Sequence, residues 1–284
     1  MHSTEGLVPP RAPYRHEMRH GLSLPPFGAL SDLTVLSGLA REAEQAEWDG
    51  VFLWDHILRP PGDPLEIADT SVALTAIAAA TSRVVIGPMV TPPTRRRPQK
   101  LAREVATLDR FSNGRVVLGL GLGVDSGGEL SRFDEVVDPR VRADRMDEAV
   151  ELICDLWSGN EVNHRGEHFT VDGVTMRPTP LQSPRVPLWF AARSAARRPV
   201  RRAAKYDGIF PIEVDFDGLG SMLDVVAEHR GSLEDFDVAV HHQLSDDAGP
   251  VGADRLAEIG VTWMIHGFST HATADDVRRV IEGS

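Results

Sequence analysis

Short apolar runs alternate with amphipathic stretches along most of this 284-residue chain. Each run rich in β-branched, aromatic or leucine side chains is followed by a segment in which apolar residues recur every three or four positions. That alternation predicts parallel strands joined by helical crossovers. We predict eight strands, at residues 20–25, 51–56, 83–90, 116–123, 187–192, 207–212, 236–244 and 262–268.

Two of the predicted helices have recognisable ends. The first runs over about residues 31–48, where Ser31 or Asp32 can cap the free amides and Gly50 can end the helix in a left-handed turn. The second spans about 139–157, with apolar side chains at helical spacing that give it one buried face. These helices fit crossovers between parallel strands.

Eight strand–helix units in a chain of this length favour an α/β fold of the closed (β/α)8, or TIM-barrel, type over an open doubly wound sheet. Segment 161–174 alternates apolar and polar residues around Gly166, which predicts a small hairpin inserted after the fourth strand–helix unit. Residues 1–18 contain three prolines and no periodicity, so we expect a flexible N-terminal extension. Residues 19–284 then form a single barrel domain.

Composition narrows the function classes. Hydrophobic residues make up 42% and charged residues 25%, as in an ordinary globular protein. A formal charge of -12, from 42 acidic against 30 basic residues, disfavours nucleic acid and anionic lipid as partners. The single cysteine, Cys154, excludes an internal disulfide. Without an apolar run of bilayer length or a signal-peptide pattern, we expect a cytoplasmic protein.

Polar side chains at the ends of the predicted strands are the first candidates for chemistry, because the loops after the strands form the active face of such barrels. They include Asp55 and His56 after the second strand, Arg193 and Ser194 after the fifth, and His266 after the eighth. An imidazole that titrates near neutral pH can donate to a bound ring or exchange a proton with substrate. Alternatively, His56 caps its loop by bonding to backbone and Asp55 is a turn residue.

A basic cluster interrupts the otherwise acidic sequence at residues 95–97, RRR. Together with Arg193, Arg197 and Arg198, these arginines are candidates for lining a groove that accepts a phosphate-bearing cofactor. The alternative is a solvated loop at the start of a helix.

The run LGLGLG at 118–123 places its glycines within a strand and not in the turn that opens a dinucleotide-binding helix. It therefore indicates a barrel strand whose small residues let a flat cofactor lie close to the backbone, or one that simply accommodates its neighbours. His241 and His242 point to opposite faces of their strand, so at most one faces the barrel interior. The histidine spacing predicts no metal site.

Segment 81–123, TSRVVIGPMVTPPTRRRPQKLAREVATLDRFSNGRVVLGLGLG, resembles the central signature of the luciferase-like monooxygenase superfamily. The shared pattern is a strand ending in a bulge, an Arg-Pro before a helix, then TLD, a polar pair, Gly-Arg and a glycine-rich strand. Further matching segments lie at 48–56, 145–159, 177–192, 203–211 and 260–267. The resemblance thus covers the chain from about Gly21 onward.

The resemblance implies flavin mononucleotide (FMN) or the deazaflavin coenzyme F420, with its ring over the barrel mouth and its phosphate near the loops after strands four and five. His56 matches the active-site histidine of the family. The bulge, which in relatives often contains a non-proline cis peptide, corresponds to Met89, Val90 and Thr91. The remaining implied cofactor contacts are Asp55, Gly121, Gly123, Ala191, Ala192, Arg193 and Ser194. The alanine pair is a departure, because relatives commonly have glycines there.

A second departure concerns substrate. Sugar-phosphate dehydrogenases of the deazaflavin branch carry a tryptophan shortly after the histidine and a glutamate just after strand four. Here those places hold Pro60 and Val124, with Asp125 one position further on. We therefore do not expect that particular activity.

Our working hypothesis is F420-dependent hydride transfer to or from a small organic substrate, in which His56 gives or takes the accompanying proton. Asp125 and His266 are secondary catalytic candidates. F420 is favoured over FMN because arginines at this face can accompany its phosphate and carboxylate-rich tail. The alternatives are an FMN-dependent two-component monooxygenase supplied by a reductase, or a non-catalytic flavin-binding protein. The family resemblance also implies a homodimer.

Overall fold

The computed structural model describes residues 18–193, 197–246 and 249–283. Its strands, in chain order, are β1 (Arg19–Leu24), β2 (Gly50–Leu53), β3 (Val85–Pro88), β4 (Leu118–Leu120), β5 (Glu161–Arg165), β6 (Thr170–Thr175), β7 (Leu188–Arg193), β8 (Gly208–Ile212), β9 (Asp237–His241), β10 (Ser245–Asp246), β11 (Gly249–Pro250) and β12 (Trp263–Gly267).

Eight of these strands form one sheet in the order β3-β2-β1-β12-β9-β8-β7-β4. At the two ends of this order, Ile86 pairs with Val116 and Thr91 with Leu120, both in parallel. The amide of Ile86 also donates to the carbonyl oxygen of Arg115 over 2.9 Å. The sheet therefore closes on itself, and the predicted (β/α)8 barrel is confirmed.

The inserted hairpin is also as predicted. Strands β5 and β6 pair antiparallel between the fourth helix and β7, apart from the barrel sheet. Of the predicted N-terminal extension, residues 1–17 lie outside the described part of the chain. The assignment of 19–284 to a single domain stays a prediction.

The helices that surround the barrel are α1 (Leu33–Gln45), α2 (Thr70–Ala80), α3 (Pro98–Phe111), α4 (Pro139–Trp157), α5 (Arg197–Ala204), α6 (Phe216–Arg230), α7 (Ala253–Glu258) and α8 (Ala274–Glu282). Short 3-10 turns occur at Gly28–Leu30, Pro93–Arg95 and Ser131–Phe133. Within the described part of the chain, no helix combines the length and apolarity needed to cross a bilayer.

Helix α1 shows how local sequence sets an element, and where the prediction was wrong. Asp32, one of the two predicted caps, accepts a hydrogen bond from the amide of Thr34 over 2.7 Å. The helix ends at Gln45, and the left-handed residue that follows is Glu47, with φ of 65°. Gly50 instead begins β2, where an added Cβ would lie 2.8 Å from the ring of Phe52. Close packing, not a helix stop, requires glycine there.

Alternating side chains along each strand divide the core into two layers. Those facing outward pack against the helices, as Leu22 and Leu24 of β1 do. Those facing inward fill the barrel with large rings, among them Phe52, Trp189 and Trp263, which are all at most 1% exposed. The barrel is thus solid towards its base, which leaves the opposite end for a binding site.

Candidate active site at the barrel mouth

A cavity of about 740 Å³ opens at the carboxyl ends of the barrel strands. Its wall includes His56 after β2, Val90 after β3, Leu122 after β4, Arg193 at the end of β7 and Gln243 after β9. A volume of this size falls within the ordinary range for a cofactor or small-molecule site. The candidates selected at strand ends are therefore brought to one place by the fold.

His56 is held at the rim by a carboxylate that the sequence analysis did not single out. Its Nδ1 lies 3.0 Å from Oε2 of Glu129, while Oε1 of Glu129 accepts the amides of Ile57 at 2.6 Å and Leu58 at 3.2 Å. Glu129 is buried, at 4% exposure, whereas the His56 side chain is 32% exposed. Burial alone would raise the pKa of Glu129, but His56 and the amide of Ile57 hold it below its ordinary value.

Asp55, the neighbour of His56, points into a network of buried charges. Its carboxylate accepts hydrogen bonds from Thr91, from Arg95 at 2.7 Å and from Arg96 at 2.9 Å. Arg95 also lies 3.3 Å from Glu129 and so joins the two carboxylates. Burial on its own would lower the pKa of Arg96, but the charge of Asp55 raises it. This network fastens the ends of β2 and β3 to the loop after β4.

Two arginines of the basic cluster are paired within the protein. Arg95 and Arg96 are bonded to carboxylates, and neither lines the cavity at the mouth. A phosphate groove lined by them stays a prediction that these contacts do not support. Among the described cations of the cavity wall, Arg193 pairs with Glu213 at 2.9 Å, and Arg198 and Arg202 pair with Asp147.

Most of the predicted cofactor contacts do share the cavity. Seven of the ten line it: Asp55, Met89, Val90, Gly121, Gly123, Ala191 and Arg193. Thr91 is buried behind this wall with its hydroxyl on Asp55, Ala192 faces the helix layer, and Ser194 lies outside the described residues. The peptide bond between Met89 and Val90 is cis, as the resemblance implied.

The two secondary catalytic candidates lie elsewhere. Asp125 accepts the amides of Leu130 at 2.8 Å and Ser131 at 3.2 Å, and hydrogen bonds from these residues hold its pKa below the ordinary value. It organises its own loop. His266 faces outward from β12 and packs edge-on to Trp48 at 5.0 Å. Neither side chain lines the cavity.

His241, the last residue of β9, and His242 after it point to opposite sides of the barrel wall, as predicted. His241 lines the cavity, 5.0 Å from the ring of Phe210, and burial lowers its pKa. His242 lies on the other side and stacks on His266 at 4.3 Å. Among the described residues, no group of three acidic, histidine or cysteine side chains is placed to hold a metal ion.

Glu129 is the site residue that sequence reasoning missed. It is 73 positions from His56 and belongs to neither a strand end nor a regular helix face. The available signal was weak: an acidic residue directly after two glycines in the long loop that follows a glycine-rich strand. Only the closed barrel brings the loops after β2 and β4 together.

The sequence of this chain matches a known protein family over most of its length. The model of the luciferase-like monooxygenase family matches residues 18–272. The chain therefore belongs to the luciferase-like monooxygenase family.

Its relatives include F420-dependent enzymes. A glucose-6-phosphate dehydrogenase of Microbacterium testaceum that depends on F420 is 35% identical over 155 residues, covering 54% of this chain and 45% of the relative. This chain thus spans about half the length of such dehydrogenases. An uncharacterised protein of Mycobacterium tuberculosis is 32% identical over 225 residues, which cover 75% of this chain and 74% of the relative.

Solved structures share the fold at low identity. An F420-dependent secondary alcohol dehydrogenase, in complex with an F420–acetone adduct, has a TM-score of 0.77 and 18% identity, and the match covers 94% of this chain and 98% of that one. A monooxygenase from Streptomyces bottropensis has a TM-score of 0.72 and 20% identity, with coverage of 93% and 98%.

Proposed function

We propose that this protein is an F420-dependent oxidoreductase that transfers a hydride to or from a small organic substrate at the barrel mouth. The observation that carries the proposal is a largely apolar cavity with an imidazole, His56, fixed at its rim by the buried carboxylate of Glu129. Such a site combines a binding surface for a flat ring with one group able to exchange a proton.

The wall of the cavity fits a planar heteroaromatic ring. Met89, Val90 and Ala191 give it a nonpolar surface, and Gly121 leaves room where a Cβ would overlap the side chain of Val90. When bound, the deazaflavin supplies or accepts a hydride at C5. The residues of the chain orient the ring and substrate, limit access of water, and hold a proton at His56.

The preference for F420 over FMN rests on two supports. Relatives that match this chain are F420-dependent dehydrogenases. In addition, Arg193 and Arg198 line the cavity, and their side chains are 54% and 53% exposed. Because their ion pairs with Glu213 and Asp147 are solvent-exposed and therefore weak, both arginines can turn to an anionic tail that extends outward. Arg95 and Arg96 differ, because their pairs with Asp55 are buried.

Titration of the purified protein with F420, and separately with oxidised and reduced FMN, tests the proposal by fluorescence and absorbance. We expect micromolar F420 binding. Ala191→Phe should weaken it by at least tenfold because the ring enters the cavity, while the matched surface variant Ala257→Phe should leave it unchanged.

Tight binding of reduced FMN with F420 ignored would instead identify the two-component monooxygenase, and would refute the proposal. Binding of F420 without turnover of any alcohol or carbonyl compound in a broad panel would favour a cofactor carrier. The first outcome concerns which cofactor binds, and the second concerns whether the bound cofactor reacts.

A homodimer, a partner reductase and a cytoplasmic location remain predictions from the sequence. One surface offers a test of the dimer: α2 contains no charged residue, and Val72 on it and Phe111 on α3 are 54% and 57% exposed. If this face joins two copies, Val72→Asp should convert a dimer into a monomer in light scattering.

A further inference from the structure

Two histidines line the cavity, and their surroundings differ. His241 lies against the ring of Phe210, and among the described residues no carboxylate bonds to it. His56 has rings on one side, with Phe27 at 5.7 Å and Trp54 at 6.3 Å, and the Glu129 carboxylate on the other. Of these two side chains, His56 is the one whose positive charge would be matched by a neighbour.

The Glu129 carboxylate is held in position by backbone amides, independently of its contact with the imidazole. One oxygen is held by the amides of Ile57 and Leu58, so the carboxylate is tied to the very turn that carries His56. The other oxygen faces Nδ1 of His56 at 3.0 Å and Arg95 at 3.3 Å. This arrangement fixes both the position of the acceptor and the orientation of the ring.

A carboxylate accepts hydrogen bonds, so the nitrogen facing it must carry a proton. Nδ1 of His56 is therefore a donor, and Nε2 is left as the nitrogen that can gain or lose a proton towards the cavity. No described residue hydrogen-bonds to Nε2. Because Glu129 is buried, little water competes for its hydrogen bond with Nδ1, and this bond holds the ring in one orientation.

Other charged groups near His56 are already paired. They are Arg95 and Arg96 on Asp55, and Arg59, which lies over Phe27 and is bonded to Asp63. Arg95 contacts both Asp55 and Glu129. Among the described residues, Glu129 is the one whose side chain bonds to Nδ1 of His56.

We propose that Glu129 is the positioning residue of this site: it holds the imidazole of His56 in the Nδ1–H tautomer and presents Nε2 to the cavity. The chemical consequence rests on the proposed function. When a hydride reaches a carbonyl carbon of the substrate, the carbonyl oxygen takes the proton from Nε2 and the imidazole becomes neutral. In the oxidative direction Nε2 takes the hydroxyl proton as the hydride leaves carbon.

The pairing can be tested without any cofactor by recording NMR spectra of the histidine ring nitrogens at a pH where the rings are neutral. His56 signals are assigned by their loss in His56→Gln. We expect the wild-type ring to be the Nδ1–H tautomer, and Glu129→Gln, whose uncharged amide is a weaker acceptor, to shift the ring towards the Nε2–H tautomer. Glu129→Asp, which keeps the charged acceptor, should retain part of the Nδ1–H preference and serves as the second variant.

A matched control exists in the inserted hairpin. Glu148 lies 2.9 Å from Nε2 of His164, so Glu148→Gln should change the tautomer of His164 and leave that of His56 unchanged. If His56 shows the same tautomer in the wild type, Glu129→Gln and Glu129→Asp while the control pair responds, the proposal is overturned.

Turnover distinguishes a failure of this inference from a failure of the proposed function. If F420 turnover is found, Glu129→Gln should lower kcat by at least tenfold with little change in KM, and Glu129→Asp should recover part of the loss. A loss of activity with an unchanged tautomer would overturn the positioning role. If F420 does not bind but the tautomer changes, the pairing stands and the proposed function fails.

Discussion

Replacing Asp109 should destabilise the protein more than replacing an exposed acidic residue does. Asp109 belongs to the TLD segment of the family signature, but its role here is structural. Asp109 lies on α3 and is 0% exposed. Its carboxylate accepts the amides of Leu181 at 2.7 Å and Gln182 at 3.0 Å, and the side-chain amide of Gln182 at 2.7 Å. These bonds clamp the segment before β7 onto α3, well below the cavity.

The magnitude follows from those three donors. A hydrogen bond to a charged group contributes about 1.5–3 kcal/mol, but the effects are not additive and the donors are only half-buried. Gln182 also keeps its bond to the carbonyl of Val116 at 2.8 Å. We therefore expect Asp109→Ala to lower the free energy of unfolding by about 3–5 kcal/mol. Asp109→Asn keeps one acceptor oxygen and should lose roughly half as much.

Urea unfolding followed by circular dichroism measures this directly. At about 2 °C per kcal/mol for a chain of this size, the melting temperature of Asp109→Ala should fall by roughly 6–10 °C. The amide of Leu181 should also exchange hydrogen faster. The control is Asp155→Ala, which removes an exposed carboxylate on α4. Equal stability of the Asp109 and Asp155 variants would refute the clamp.

Three further predictions test other parts of the structure. His56→Ala should lower F420-dependent turnover by about 10²–10⁴-fold in steady-state assays, with F420 affinity within about threefold of wild type. Burial first, then neighbouring histidines, lower the pKa of His266 to about 4, so the unfolded chain takes up a proton between pH 6.5 and 4 that the folded chain does not. The free energy of unfolding should therefore fall as pH falls through that window. Between pH 7.5 and 5, measured from urea midpoints, this fall should be about 1 kcal/mol smaller in His266→Phe than in the wild type. In Gly87→Ala the new Cβ would overlap the carbonyl oxygen of Val117, so thermal unfolding should reveal a loss of about 3–5 kcal/mol, whereas Gly38→Ala, with no atom within 4 Å, should be neutral or stabilising.

The fold could be predicted because each barrel strand is an apolar run that can be recognised in the sequence. The eight apolar runs and the hairpin correspond to observed strands, and α4 has the predicted bounds, Pro139–Trp157. Strand ends were less accurate. Residues 54–56 continue the pattern of β2, yet the strand ends at Leu53, because Trp54 and His56 turn out of the sheet to form the rim. Local hydrophobicity carries no information about where a cavity interrupts a strand.

The site could be predicted only in part, for a related reason. His56 and Val90 were found because strand ends converge in any barrel. His266 was selected by the same rule, yet it faces outward, because its neighbours on β12, Trp263 and Ile265, occupy the interior positions. Pairing across the mouth, such as His56 with Glu129, depends on loops whose paths the periodicity does not encode.

The arginines show most clearly what a sequence pattern leaves open. A basic cluster among acidic residues suggests an anionic ligand, but Arg95 and Arg96 neutralise the protein's own Asp55 and, through Arg95, Glu129. A buried carboxylate without such partners would be strongly destabilising, so these arginines are what allow two carboxylates to lie beside His56. In the proposed site their effect is indirect: they hold Glu129 in place as a carboxylate, and the hydrogen bond to Glu129 selects the nitrogen of His56 that carries a proton.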